Sequence, residues 1–354
     1  LARLSGFTVR NGSDDVGGGI KLSNANPSLD NLIIKNNVSL SKGGGLYAFN
    51  SKARIHNVTI SGNTSNEHGG GVYIDSLSKL RFLNSIISGN ETSNKGGGLS
   101  LNNATVEINN SLLENNTAYI GGGVQFNQST ALVVNSTITG NSANLSGGSI
   151  HSEGSSISIV NSIIWDNSSY PLIDSAQIIY SNIEGGWDGE GNIDQDPMFL
   201  SYGQHPYQIQ AGSPCINAGN PEISGYSLPE HDLAGVKRII GGIVDMGAYE
   251  WMLFVGGDEH TFSEDDPLKV SIRPNPFRNK ATINYTLPES TDVSVSIYNY
   301  LGQHVESLYD GWQLKGEHSI DWKPQYPHPG IYIYRIQAGN HLSCLLYTSD
   351  AADD

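Results

Sequence analysis

The residues best suited to ligand chemistry are aromatic side chains that recur 26 positions apart. Tyr47 and Tyr73 keep this spacing, Phe49 follows Tyr47 by two positions, and Asp75 follows Tyr73 by two. If the chain winds with this period, equivalent residues of successive coils stack about 4.8 Å apart on one strand surface. Aromatic faces beside polar groups suit sugar rings. The pattern predicts an exposed aromatic platform that binds a glycan, although aromatic residues also stack on strands for stability alone.

A second candidate site is basic. Lys52 and Lys79 share one column of this register, and Arg54 and Arg81 share the next. Four cations in two adjacent coils could hold a polyuronate, because arginine pairs with carboxylates through two hydrogen bonds. Glu107 continues the arginine column, so a solvated face of mixed charge is the alternative. No paired-carboxylate motif of the polygalacturonase kind is visible in the sequence.

A third candidate is an acidic loop with oxygen-bearing side chains at alternate positions. Its residues are Asp188, Glu190, Asn192, Asp194 and Asp196. Calcium binds several such oxygen ligands at once. The loop is not an EF-hand, since Ile193 stands where that motif needs glycine and Phe199 where it needs the bidentate glutamate. The pattern predicts either a calcium site or a set of turn residues.

These candidates depend on a repeat that fills the first half of the chain. A glycine triplet or Gly-Gly-Ser, followed by an aliphatic residue, begins at Gly17, Gly43, Gly69, Gly96, Gly121 and Gly147. An asparagine ends an apolar segment at Asn37, Asn63, Asn90, Asn116, Asn141 and Asn167. Both features keep a spacing of 25 to 27 residues. Each repeat has three short segments in which apolar and polar residues alternate, which predicts one three-stranded coil of a β-solenoid.

Composition and charge exclude several classes of protein. The chain has 42 glycines in 354 residues, which is incompatible with an all-helical fold. No apolar run approaches about 18 residues, so no membrane-spanning helix is expected. The net charge is −16, which argues against a nucleic-acid partner. The two cysteines, Cys215 and Cys344, supply neither a disulfide framework nor a thiolate metal site.

The repeat resembles the right-handed parallel β-helix of the pectate-lyase-like superfamily over residues 1–184, or about seven coils. Residues 185–252 contain GNIDQDPMF, SPCINAGN and DMGAYE. This order is similar to the closing segment of bacterial β-helix surface proteins of the choice-of-anchor type. The resemblance implies that the segment caps the open end of the solenoid, where strand edges would otherwise be unpaired. Residues 253–266 are acidic and are expected to form a linker.

Residues 267–343 contain short alternating strands separated by Pro and Gly turns, which is typical of a small β-sandwich. Three motifs in it resemble the C-terminal sorting domain of the type IX secretion system. They are Pro274-Asn275-Pro276-Phe277, Tyr298-Asn299 with Leu301-Gly302-Gln303, and Gly330-Ile331-Tyr332 with Tyr334-Arg335. The resemblance implies that the type IX machinery is a partner and that a bacterial outer membrane is crossed.

Both ends of the sequence carry expectations of their own. Residues 344–354, CLLYTSDAADD, resemble read-through of a sequencing adapter. Leu1 falls in the middle of the repeat pattern, so we expect a fragment of a longer protein.

The sequence therefore predicts an all-β protein, a parallel β-helix followed by a small sandwich, that is secreted or held at the cell surface. We expect a monomer that binds a glycan or a surface partner without catalysis. One alternative is a lyase or hydrolase of acidic polysaccharides that uses the basic face, or the columns of Asp75, His151 and Glu153. The other alternative is a structural stalk.

Overall fold

The chain divides into two compact units, residues 1–251 and 252–354, and all its described regular structure is strand. The linker at 253–266, the motif residues 275–277 and the motif residues 301–303 lie outside the described residues. The computed structural model describes residues 2–169, 171, 175–201, 203, 205–222, 225–226, 228–240, 242–251, 268–274, 280–299, 304–324, 330–339 and 341–349.

The first unit is a parallel β-solenoid with three sheets. The long sheet consists of Arg3–Ser5, Thr8–Arg10, Ser28–Lys35, Lys52–Ser61, Lys79–Leu83, Ile86–Ser88, Thr105–Asn109, Leu112–Glu114, Thr130–Val134, Thr137–Thr139, Ser156–Val160, Ile163–Trp165, Ala176–Ile179 and Asn182–Ile183. The short sheet consists of Ile20–Ser23, Leu46–Phe49, Val72–Ile74, Leu99–Asn102, Val124–Asn127 and Ile150–Glu153. The turn sheet consists of Ser13–Val16, Val38–Lys42, Thr64–Ser65, Glu91–Thr92, Thr117–Ile120 and Ser142–Ser146. Among the described residues the short and turn sheets thus have six strands each, where about seven coils were expected.

The register follows the predicted period, so equivalent side chains of successive coils lie above one another. Tyr47 pairs with Tyr73, and Arg54 pairs with Arg81. Inward-facing aliphatic residues form one continuous core along the solenoid. One of its stacks, at most 1% exposed, is Ile34, Ile60, Ile87, Leu113, Ile138 and Ile164. Each such side chain contributes about 1.5–3 kcal/mol through burial, so the core holds the strand surfaces in place.

The repeating asparagines form a buried hydrogen-bond ladder. The side-chain amide of Asn90 donates to Asn116 Oδ1 over 3.0 Å, and that of Asn116 donates to Asn141 Oδ1 over 2.9 Å. The left-handed backbone that turns the chain here falls on the residue before each of these asparagines, as at Gly89 and Asn115. The two adjacent residues therefore have different roles. The first makes the turn, and the asparagine that follows it satisfies buried polar groups.

A second column of asparagines bends the long sheet. Its members have φ values between 44° and 53° and are Asn31, Asn57, Asn84, Asn110, Asn135 and Asn161. Because the left-handed conformation interrupts the strand, later coils have four strand segments where the sequence predicted three. Serine columns beside the bends and turns, such as Ser85, Ser111 and Ser136, accept backbone N–H groups from the neighbouring coil.

The acidic segment after the last coil extends the stack by one pairing and lies along one flank of the solenoid. Ile193 pairs with Asn182 of the final coil, which extends the stack. Later residues dock on the bend column. Asn110 and Asn135 donate to the carbonyls of His231 and Asp245, and Asn161 Oδ1 accepts the Asn220 N–H. These contacts place the segment along one flank of three coils, and its role as a cap of the solenoid end stays a prediction.

The second unit consists of two antiparallel sheets. One contains Lys269–Arg273, Ala281–Leu287 and Gly316–Trp322, and the other contains His304–Gln313, Thr291–Asn299, Gly330–Ala338 and His341–Ser349. Side chains of both sheets share one core, which includes Tyr285, Trp322 and Tyr334. Antiparallel pairing continues to Ser349, through part of the stretch interpreted as adapter read-through, and that interpretation stays a prediction.

Candidate functional site

The candidate site is a groove on the outer surface of the short sheet. It has a volume of about 320 Å³ and crosses four coils of the solenoid. Three rung spacings separate the first of these coils from the last, or about 14 Å. The groove is lined by His68, Tyr73, Lys95, Ser100, Leu101, Asn102, Gln125, Asn127 and Glu153.

The glycine triplets make this surface concave. Gly96 begins a triplet with φ of +73°, and a Cβ atom there would lie 2.6 Å from the Cβ of Ser100. Only glycine permits so close an approach at this backbone conformation. The corner therefore brings the residue before the triplet close to the strand that follows it. A column of turn residues, Lys42, His68 and Lys95, paired by isolated bridges, becomes one wall of the groove.

The predicted aromatic platform exists in part. The rings of Tyr47 and Tyr73 are stacked, with centroids 5.8 Å apart and an interplanar angle of 5°. Phe49 is 40% exposed, but Tyr73 is only 3% exposed, so the expectation of three exposed rings was wrong for Tyr73. The reason is its surroundings: Lys42 Nζ lies 4.8 Å from its ring centroid and His68 stacks beside it. Burial raises the pKa of the Tyr73 phenol.

The groove opens where the outward-facing column of Tyr47 and Tyr73 continues into the next coils with smaller side chains. Tyr73 pairs with Ser100, which pairs with Gln125. Ser100 donates to Gln125 Oε1 over 3.0 Å, and the two are 2% and 3% exposed although they lie on the outer face. The Tyr47–Tyr73 stack therefore borders a polar space in the following coils.

The other wall is a ladder of carboxylates and amides. Asp75 accepts hydrogen bonds from Tyr47 and Asn102, and Asn127 donates to Asn102 Oδ1 over 2.7 Å. Glu153 pairs with Asn127 in the sheet. The wall presents donors and acceptors at successive rungs, which is an arrangement suited to the hydroxyl groups of a sugar chain.

Charge within the groove is balanced. Lys95 Nζ lies 3.3 Å from Glu153 Oε1 on the opposite wall. His68 is held in its neutral form because burial, followed by the charges of Lys42 and Lys95, lowers its pKa. The two walls thus carry two cations, Lys42 and Lys95, two carboxylates, Asp75 and Glu153, and a neutral imidazole, so the groove has no excess charge to offer a polyanion.

The basic face on the long sheet is brought together as predicted, but half of it is neutralised. Arg81 Nε lies 3.0 Å from one oxygen of the Glu107 carboxylate, and Lys79 Nζ lies 3.5 Å from the other. In the described part of the chain, Lys52 and Arg54 have no carboxylate within ion-pair distance. The surface carries mixed charge, and binding of a polyuronate at Lys52, Arg54, Lys79 and Arg81 stays a prediction.

The carboxylates of the hydrolase alternative are far apart. Asp75 and Glu153 stand in one column, separated by the coils of Asn102 and Asn127. Three rung spacings correspond to about 14 Å, whereas paired carboxyl groups of glycosidases lie about 5–9.5 Å apart. His151, beside Glu153, is 6% exposed.

The acidic loop predicted for calcium uses its side chains locally. Glu190 accepts from the Tyr180 hydroxyl, Asp194 from the Gly185 N–H, and Asp196 from the Met198 N–H. Asn192 donates to the carbonyls of Ile178 and Trp187. The described residues contain no group of three or more His, Cys, Asp or Glu side chains placed to hold a metal. Calcium binding at Asp188, Glu190, Asn192, Asp194 and Asp196 stays a prediction.

Sequence reasoning missed the groove wall formed by His68 and Lys95. The signal was present, because Lys42, His68 and Lys95 each precede a glycine triplet. It was overlooked since these residues lie in turns, outside the alternating strand pattern that defined the columns. The floor and amide wall, with Ser100, Gln125 and Asn127, continue the columns of Tyr73 and Asp75 into later coils, so the repeat period is sufficient to place them.

Comparison with known families finds one match in each of the two units. Residues 2–164 match the model of a right handed beta helix region, and residues 271–344 match that of a secretion system C-terminal sorting domain. No curated protein and no solved structure matches the chain. The choice-of-anchor resemblance of residues 185–252 lies outside both matches and stays a prediction. No helix able to cross a membrane occurs in the described residues.

Proposed function

Since the chain carries a right-handed β-helix region and a type IX secretion sorting domain, it is an exported protein of the cell surface or medium, and we propose that it binds a neutral glycan there without catalysis. The sorting domain engages the type IX machinery, and the β-helix presents the binding surface. The binding site in this proposal is the groove beside Tyr73.

One observation carries the proposal: a polar groove of about 320 Å³ opens where the tyrosine stack ends. Tyr73 borders it, Ser100 and Gln125 form its floor, and Asn102 and Asn127 form a wall. A ring beside several fixed amides is the combination that sugars require, because a sugar has apolar ring faces and hydroxyl edges. The length of the groove along the coils suits a short stretch of an extended chain.

Charge and spacing favour binding of a neutral glycan over cleavage of an acidic one. Lys95 and Glu153 already compensate each other. The basic residues of the long sheet, which a uronate would need, are partly occupied by Glu107. The wide separation of Asp75 and Glu153 disfavours a paired-carboxylate mechanism.

A glycan array with neutral and acidic oligosaccharides tests the proposal, combined with an absorbance assay for unsaturated uronates. We expect retention of neutral oligosaccharides and no absorbance change. Tyr73→Leu should reduce retention about tenfold because the aromatic border of the groove is lost, whereas Tyr119→Ala, which removes a 45% exposed tyrosine of the turn sheet, should not. Turnover abolished by Arg54→Ala and Arg81→Ala would support the lyase alternative instead, and retention of nothing would support the stalk.

A further inference from the structure

Two side chains span the groove. Lys95 lies on the turn-residue wall, in the coil of Ser100, and Glu153 lies on the amide wall, two coils further along. Their Nζ and Oε1 atoms are 3.3 Å apart. The coil between them carries Gln125. The pair therefore passes over the part of the groove floor that Gln125 forms.

The covered floor residues are more buried than their outward orientation predicts. Ser100 and Gln125 are 2% and 3% exposed, although neither side chain points into the solenoid core. Within the column the two residues lie between Tyr73 and His151, and the Lys95–Glu153 pair joins the two walls beside them. A ligand that reaches Gln125 must therefore displace the bridge.

The bridge is weak enough to open. The side chains of Lys95 and Glu153 are 29% and 49% exposed, so water and salt reach both charges. An exposed ion pair of this kind changes an equilibrium by no more than about fivefold. Opening it leaves both charges solvated, because long side chains can swing outward from the wall.

We propose that the Lys95–Glu153 ion pair is a latch that closes the groove, and that a neutral glycan binds in competition with it. This inference rests on the proposed function for the identity of the ligand, but the latch itself is a property of the free protein. It predicts an unusual salt dependence. Salt weakens the ion pair, so salt strengthens glycan binding instead of weakening it.

The first measurement needs no glycan. Ser100→Cys places a thiol on the groove floor, in a Cys344→Ser background, while Cys215 stays unreactive because it is fully buried and its pKa is raised to about 12. The reaction of the thiolate with methyl methanethiosulfonate is followed over a pH profile, which separates accessibility from a change in thiol pKa. We expect Glu153→Gln to accelerate the reaction about two- to fivefold. Glu107→Gln, which breaks the ion pairs of the basic face, is the matched control and should have no effect.

The second measurement titrates cellotetraose, maltotetraose and chitotetraose at low and high ionic strength. We expect Glu153→Gln to bind about two- to fivefold more tightly than the parent protein and to lose the salt dependence. An unchanged thiolate rate in Glu153→Gln would overturn the latch, whatever the glycan result. An accelerated rate without any glycan binding would keep the latch and overturn the proposed function.

Discussion

At the scale of single residues, buried asparagines stabilise the solenoid through hydrogen bonds between successive coils. The amide of Asn116 accepts the backbone and side-chain N–H groups of Asn90 and donates to Ile87 O and Asn141 Oδ1. An amide can do this in every coil because it is both donor and acceptor. A carboxylate or a hydroxyl cannot repeat the same pattern, which explains why the sequence keeps asparagine at this position.

Replacing Asn116 by alanine should therefore be costly. The change leaves two N–H groups of Asn90 and the carbonyl of Ile87 without partners, and each orphaned buried group costs about 1–3 kcal/mol. We expect the free energy of unfolding of the first unit to fall by about 2–4 kcal/mol in urea titrations followed by circular dichroism. Asn94→Ala, at an exposed site, should change it by less than about 0.5 kcal/mol. Equal effects of the two variants would contradict the ladder's role.

At the scale of elements, the acidic segment holds a buried charge cluster against the solenoid. Arg238 is 2% exposed, lies 3.4 Å from Glu250, and donates to the carbonyl of Gly247. Asp232 and Asp245 are buried beside them. One guanidinium faces three carboxylates, so full ionisation is unfavourable. Burial raises the pKa of Asp245 to about 7 and that of Glu250 to about 9.

This cluster predicts a pH dependence with a definite sign. The folded segment retains protons that the unfolded chain releases above about pH 4.5, so stability is greatest near that pH and decreases as the pH rises toward 9. Each retained proton costs about 1.4 kcal/mol per pH unit. Urea unfolding at about pH 5, 7 and 9 measures this decrease in the free energy of unfolding. Glu250→Gln should flatten the profile, whereas Glu222→Gln, at an exposed site, should not. Stability that increases from pH 5 to 9 would refute the interpretation.

The sequence predicted the elements that repeat and missed those that do not. The columns of Tyr47, Tyr73, Ser100 and Gln125 followed from the period alone, because parallel rungs place equivalent residues in register. The burial of Tyr73 could not be predicted, since it depends on how closely the turns at the glycine triplets bring Lys42 and His68 to the ring. Docking of the acidic segment on the asparagine bends could not be predicted either, because its contacts join residues that are 59 to 121 positions apart in the sequence.

At the scale of the whole molecule, the two units have separate cores. The first core runs along the solenoid, and the second joins the two antiparallel sheets around Trp322. Trp322 packs edge-on against Tyr332, with centroids 5.0 Å apart, and donates to Glu306. The solenoid and the sorting domain are thus stabilised by different residues.

Calorimetry of the full chain should accordingly show two unfolding transitions. Trp322→Ala should lower the transition of the second unit, at a cost of about 3–5 kcal/mol, and should leave that of the first unit in place. Asn116→Ala should lower the transition of the first unit and leave that of the second unit in place. A single transition that moves with both substitutions would contradict this separation.

The central claim is that the groove beside Tyr73 binds a neutral glycan, and one titration tests it most directly. The tetrasaccharide that binds best is titrated calorimetrically into the full chain and into Gln125→Ala, with Tyr119→Ala as control. Loss of one amide from the groove floor should weaken binding about three- to tenfold, while the control keeps the parent affinity. Equal affinities of Gln125→Ala and the parent protein would contradict the claim.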